Sequence, residues 1–280
     1  MPHQLRIETM TASTATATDL GSTLGSDLSS ELLATLVAEH SEWHEGRLAA
    51  LVAPQGNLAL VETRWLPDGT ELSAGEALVG QAPTVTATVL ARKNLDTGAP
   101  EHGVRLWDAA SPAIRAFDTV PVFDYDPAWL IQAEFTPVAE GRTIPFEHIR
   151  DNGGSRDLVV PGDIRFTLGD TEYTMSAFDD GGTLLLVFGD ATNGIDGDTG
   201  TYGSGRFLFV QRTDGGGSFD GRSGTPGPVT LDFNRAFVPP CGFSAQYNCP
   251  LPPAQNRFAL PVTAGERVAR FTGGFDIYTL

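Results

Sequence analysis

The sequence predicts a mainly β fold: an antiparallel sandwich or partly closed barrel with an N-terminal helical brace. Three observations predict it. Short segments alternate apolar and polar residues, as a strand with one buried face does. Glycine and proline, 32 and 19 residues of 280, punctuate those segments. One stretch alone carries a long helical period, and it precedes the strands; a doubly wound fold needs helices between strands.

Residues 1–28 are rich in Thr, Ala and Ser and poor in bulky apolar side chains. They read as a flexible tail without a packed core. They also lack the apolar centre of a secretory signal. A cytoplasmic location is therefore the default expectation, with export by an unrecognised route left open. Residues 29–56 form the helical segment. Ser29 or Ser30 can cap it, and Glu31 suits its positive end. Leu32, Leu36 and Trp43 share one face, which Leu33 and Val37 widen. Pro54 stops the element, or Gly46 splits it. Its expected role is to pack on the core.

Residues 57–280 are the β domain, possibly two sheets dividing near residue 140. "NLALVETRWL" can form a strand, and "TVTATVLAR" alternates Val85, Ala87 and Val89. "AWLIQAEF" alternates Trp129, Ile131, Ala133 and Phe135; "DIRFTLGD" puts Ile164, Phe166 and Leu168 on one side. "EYTMSAF" and "TLLLVFGD" follow, the latter apolar enough for a central strand. "DNGG" at Asp151, "PGD" at Pro161 and "DDGG" at Asp179 are turn signals. "TDGGGSFDGRSGTPGP" reads as a long solvated hairpin loop.

The formal net charge is -17, and Lys93 is the sole lysine. With no basic run, this balance disfavours nucleic acid. No stretch approaches the ~20 apolar residues that cross a membrane as a helix.

"FGDATNGIDGDTGTYGSGRF" is the richest polar stretch. Its Asp190, Asp196 and Asp198 allow structural turns, a polar substrate site or calcium, though the twelve-residue calcium loop is absent. "GTYGSGRF" lacks the Lys-Ser/Thr of a phosphate loop, and "GSGR" fails the dinucleotide fingerprint. Arg206 can still grip an anion through its planar fork, and Asn234 and Arg235 add hydrogen-bonding capacity. Together with Tyr202 they compose an expected pocket for a small polar or anionic ligand. The alternatives are a small-molecule hydrolase, with Asp190 or Asp198 as base, and a structural or protein-interaction module.

Cys241 and Cys249 lie in "VPPCGFSAQYNCPLPP". A structural zinc site wants four ligands, and all five histidines lie upstream. "HSEWH" is not HExxH, because Ser41 stands where the glutamate belongs. The remaining readings are buried reduced thiols bracing the loop, a loop disulfide, or a catalytic thiol with a distant base. Neither a metal nor a cofactor is expected.

Two of these stretches carry a resemblance. "FGDATNGIDGDTGTYGSGRFLFV" and "VTLDFNRAFVPPCGFSAQYNCPLPPAQNRFALPVTAGE", with "HGVRLWDAASPAIRAF" upstream, resemble the bacterial family known as domain of unknown function 1684. The similarity runs from Glu31 to about Phe271. Thr201, Tyr202, Gly203, Gly205 and Arg206 match its glycine-rich motif. Asp232, Asn234, Arg235, Pro239, Pro240, Cys241, Cys249 and Pro250 match the next, which Asn256 and Arg257 continue. The resemblance implies export or lipid anchoring in many relatives, for which this chain shows no evident signal. It implies no particular reaction.

Overall fold

The computed structural model describes residues 29–93, 98–139, 142–149, 155–180, 183–212 and 225–279. The tail at 1–28, the Asp151–Gly154 turn, half of the "DDGG" turn and most of the 213–228 loop lie outside the described residues.

Helix α1, Ser30–Leu51, begins where Ser29 Oγ accepts the Leu32 N–H at 3.2 Å. It continues through Gly46 and stops just before Pro54. Its docked face keeps the expected Leu32, Leu36 and Trp43, which are partly buried, and runs on through Leu48 to the buried Leu51, but the two residues expected to widen it point away. Leu33 and Val37 are 36% and 41% exposed. The same face carries three polar anchors, His40, His44 and Arg47, spaced i, i+4, i+7. His40 Nε2 donates to Asn234 O (2.9 Å), and His44 Nε2 donates to Val120 O (2.8 Å). Arg47 Nη2 donates to Val238 O (2.8 Å). An apolar period does not reveal such polar anchoring onto backbone carbonyls.

Three strands follow: β1 (Leu60–Trp65), β2 (Val85–Lys93) after the short helix α2 (Ala74–Ala77), and β3 (Pro100–Asp108). They pair antiparallel in the order β1-β3-β2. Helix α3 (Pro112–Ala116) is capped by Ser111, whose Oγ accepts from Ile114 N and donates to Leu58 O. Strand β4 (Phe117–Thr119) comes next.

The second half holds β5 (Leu130–Pro137), β6 (Thr143–Glu147), β7 (Ser155–Val159), β8 (Gly162–Leu168), β9 (Thr171–Asp179), β10 (Leu184–Phe188), β11 (Arg206–Arg212), β12 (Gly227–Asp232) and β13 (Arg270–Phe271). Six of them make an antiparallel barrel, β10-β11-β12-β5-β8-β9, closed through short pairings at β9–β10 and β11–β12. β6 and β7 form a hairpin, and β13 pairs with β4.

The alternation read from "AWLIQAEF" and "DIRFTLGD" is the barrel's inward face. Ile131, Ala133, Phe135, Ile164 and Phe166 are buried together with Phe188 and Phe233. The continuous apolar run of β10 has a physical cause. Leu184, Leu186 and Phe188 fill the interior, while Leu185 and Val187 pack outward against Phe207, Cys241 and Cys249. A strand covered on both faces has no polar side to show. Among the described residues no helix is long and apolar enough to cross a membrane.

Candidate functional site

The four residues expected to share a pocket enter three separate networks. Arg206, at the start of β11, is wholly buried. Its Nη2 donates to Asp190 Oδ2 (2.9 Å) and Val262 O (2.8 Å), and its Nη1 donates to the carbonyls of Ala264 and Glu266. Burial pulls its pKa down, and the nearby Asp190 and Glu266 charges oppose that. Asn234 is also fully buried: its side chain accepts from Asp126 N (2.9 Å) and donates to Asp126 O (3.0 Å). Arg235 turns outward, with Nε 3.2 Å from Asp232 Oδ2 and Nη2 3.8 Å from Glu39. Tyr202 points elsewhere, its hydroxyl 2.8 Å from that of Tyr278 and 3.7 Å from Cys241 Sγ. The anion-gripping fork expected of Arg206 is thus occupied by an internal carboxylate and three carbonyls.

Asp190, one of the two candidate bases, is the other half of that buried pair. Its Oδ1 accepts from Thr192 N (2.8 Å), Thr192 Oγ1 (2.5 Å) and Val262 N (3.1 Å). A carboxylate that accepts from a short turn after it stabilises that turn. Thr201 N returns to Thr192 O at 2.9 Å, closing residues 190–201 into one loop. Gly197, at φ +92°, takes a backbone conformation that favours glycine. A side chain at Gly200 would meet Ile195 O at 1.8 Å, so the loop neck admits none.

The loop tip carries the other candidate base. Asp198 is 94% exposed, and its Oδ1 accepts from Arg267 Nη2 at 3.1 Å. Arg270 Nη2 lies 3.7 Å from the same oxygen. Pro121, Gly197, Gly200, Arg267 and Arg270 line an open cleft of about 80 Å³ beneath it. Arg267 is held there rather than free to wander. Its N–H donates to Pro121 O (2.8 Å), its guanidinium lies 5.5 Å over Phe123, and its side chain is 16% exposed. Its Nε is buried without a hydrogen-bond partner. Neither Arg267 nor Arg270 stood out in the sequence. The signal present is the i, i+3 arginine pair in "GERVARF".

Glu266, beside Arg267, connects the two arginine regions. Its wholly buried side chain accepts from Arg47 Nε (3.0 Å) and from Val238 N (2.7 Å). Residues 262–267 therefore receive Arg206 on one side and α1 on the other.

A second polar cluster lies under α1. His40 stacks on Trp43 and tilts against Tyr125, at 5.5 and 5.6 Å between ring centroids. Burial pushes the Tyr125 phenol up to about 12, and burial raises the Asp232 carboxyl too. Burial lowers the His40 pKa, against the Asn234 carbonyl and the Asp232 charge, with His44 and Arg235 adding to the lowering. The folded protein thus binds fewer protons at His40 than the unfolded chain does. This contribution to stability is complete above the unfolded value of about 6.5. It is lost as pH falls from there through the lower folded value. Urea midpoints measured across that window should fall toward acid, and His40→Gln should flatten the slope.

Cys241 and Cys249 are both buried and not disulfide-bonded. Among the described residues no group of three or more His, Cys, Asp or Glu is placed to hold a metal ion.

No curated protein matches the chain. Among solved structures, it is similar to an uncharacterized protein of Haloarcula marismortui determined by solution NMR. The two are 29% identical over 54% of this chain and 77% of that one, with a TM-score of 0.40. The family model described as "Protein of unknown function (DUF1684)" matches residues 115–267, more than half of the chain and within the span of the resemblance drawn from sequence. Those residues contain the barrel, the glycine-rich loop, the cysteine loop and Arg267, and the chain belongs to that family.

Proposed function

We propose that the protein binds a small anion, of carboxylate or phosphate class, in the cleft between the glycine-rich loop and Arg267/Arg270. The observation that carries this reading is the position of Asp198. A carboxylate on a loop tip, itself 94% exposed, already sits against two arginines at the mouth of a cleft. This supports recognition of a carboxylate by the two arginines, and the one they hold is weakly committed. An exposed ion pair is worth about 0–1 kcal/mol, so an incoming anion displaces Asp198 at little cost. The size of the cleft limits the ligand. About 80 Å³ admits a carboxylate or phosphate group but is far below the ~300–1,000 Å³ that encloses a drug-sized molecule. A ligand larger than that group must extend into solvent. The overall charge of -17 repels polyanions at distance, which favours a small ligand over a nucleic-acid backbone.

Titration of inorganic phosphate and acetate by calorimetry at low salt tests the reading. Asp198→Asn removes the competing carboxylate and should tighten binding by up to about fivefold, the equivalent of an exposed ion pair. Arg267→Gln combined with Arg270→Gln should abolish it, and added salt should weaken binding to the parent. Equal affinity in the parent and a folded double-arginine variant would remove the proposal.

A further inference from the structure

We propose that Cys241 and Cys249 are a redox-modification site: a dithiol that a peroxide converts to an intramolecular disulfide, with Tyr278 controlling access. The observations are independent of the anion cleft.

The first is proximity. The Cys241 N–H donates to Cys249 Sγ at 3.3 Å, and the two thiols are hydrogen-bond neighbours. A disulfide requires the sulfurs to close to about 2.05 Å with the backbones already near each other.

The second is how firmly both backbones are held. Gly242 N donates to Pro239 O (2.9 Å) and Phe243 N to Pro240 O (3.0 Å), closing the tight turn around Cys241. Ser244 Oγ donates to Leu60 O (2.7 Å). On the other side, Ile149 N donates to Cys249 O (3.1 Å) and Leu251 N to Glu147 O (2.7 Å). The loop presents the thiols to each other as the protein stands, so no large rearrangement precedes bond formation.

The third is a tyrosine relay from the surface. Tyr278 is 56% exposed. Its hydroxyl contacts that of Tyr202 at 2.8 Å and donates to Cys241 O at 3.4 Å. The Tyr202 hydroxyl in turn reaches Cys241 Sγ. Cys241 is the thiol that the Tyr202 hydroxyl touches, and both thiols lie in one cluster with Leu185, Val187 and Phe207. The hydrogen bond to Cys241 and burial both raise the Cys249 thiol, which disfavours its thiolate.

The chemistry balances with hydrogen peroxide as oxidant. The Cys241 thiol loses its proton and its sulfur attacks one peroxide oxygen. The O–O bond breaks, and the departing oxygen leaves as water, giving a sulfenic acid. The Cys249 sulfur then attacks the Cys241 sulfur. The S–S bond forms, the S–O bond breaks, and a second water leaves. Two thiols lose two electrons and two protons, and one peroxide becomes two waters.

The test treats the folded, reduced full chain with hydrogen peroxide, then unfolds and alkylates it. Expected are a mass loss of two hydrogens, no alkylated cysteine, and a single linked peptide joining Cys241 to Cys249. Tyr278→Ala should speed the loss of thiols several-fold, and Cys249→Ala should leave a trappable sulfenic acid at Cys241. The peptide map of the parent decides the matter even if that variant does not fold. Two alkylatable cysteines after treatment, over-oxidation without a link, or links only between molecules would overturn the dithiol assignment. An unchanged rate in Tyr278→Ala would overturn the role of Tyr278.

Discussion

Arg206→Met is expected to lower stability by about 3–5 kcal/mol, the cost of leaving a buried charge without its partner. The Asp190 side chain is wholly buried, and its Oδ2 would keep only the long Asn193 Nδ2 contact at 3.5 Å. The carbonyls of Val262, Ala264 and Glu266 would lose donors at the same time. For a chain of this size the melting temperature should fall by roughly 10 °C, at ~2–4 °C per kcal/mol. Urea unfolding of the parent, Arg206→Met, Asp190→Asn and the double variant measures the coupling. The double variant should lose less than the sum of the singles, because the second change removes the charge that the first leaves stranded. A loss below about 1 kcal/mol for Arg206→Met would contradict a structural role for this arginine.

Glu266→Ala should cost nearly as much, about 3 kcal/mol, because it also breaks a buried charge-assisted network. The Val238 N–H loses its acceptor, and Arg47 loses the carboxylate that holds α1 against the barrel. The loss has a local signature. Amide exchange in α1 should accelerate more than exchange in the barrel strands, since the remaining polar contacts of His40, His44 and Arg47 are hydrogen bonds to single carbonyls. Uniform acceleration across both would show that Glu266 does not couple the helix to the barrel in particular.

What could be read in the sequence was what depends on a local period. The inward faces of β5 and β8 are there in the alternation, and the two-sided burial of β10 is there in its unbroken apolar run. Ser29 was legible as a cap because capping involves residues only three apart. The polar anchors of α1 were not, since their partners Asn234, Val120 and Val238 are brought in by the rest of the fold. Arg206 illustrates the same limit at the candidate site. A buried arginine and an exposed one have the same letter, and its carboxylate lies sixteen positions away across a glycine-rich loop. Tyr202 and Asn234 read from the sequence as ligand-binding side chains, and the hydrogen-bond partners they have in the fold are internal. Arg267 and Arg270 escaped because what makes them a pair is the approach of the loop carrying Asp198.

Amide mapping with inorganic phosphate tests whether the cleft binds an anion. Inorganic phosphate is titrated into isotopically labelled parent protein and followed by transverse-relaxation-optimised NMR. Expected are saturable shifts confined to Gly197–Gly200, Pro121's neighbours and Arg267–Arg270, around the cleft beside Asp198. Saturable shifts centred instead on Tyr202, Asn234 and Arg235, or no saturable shift at all, would contradict it.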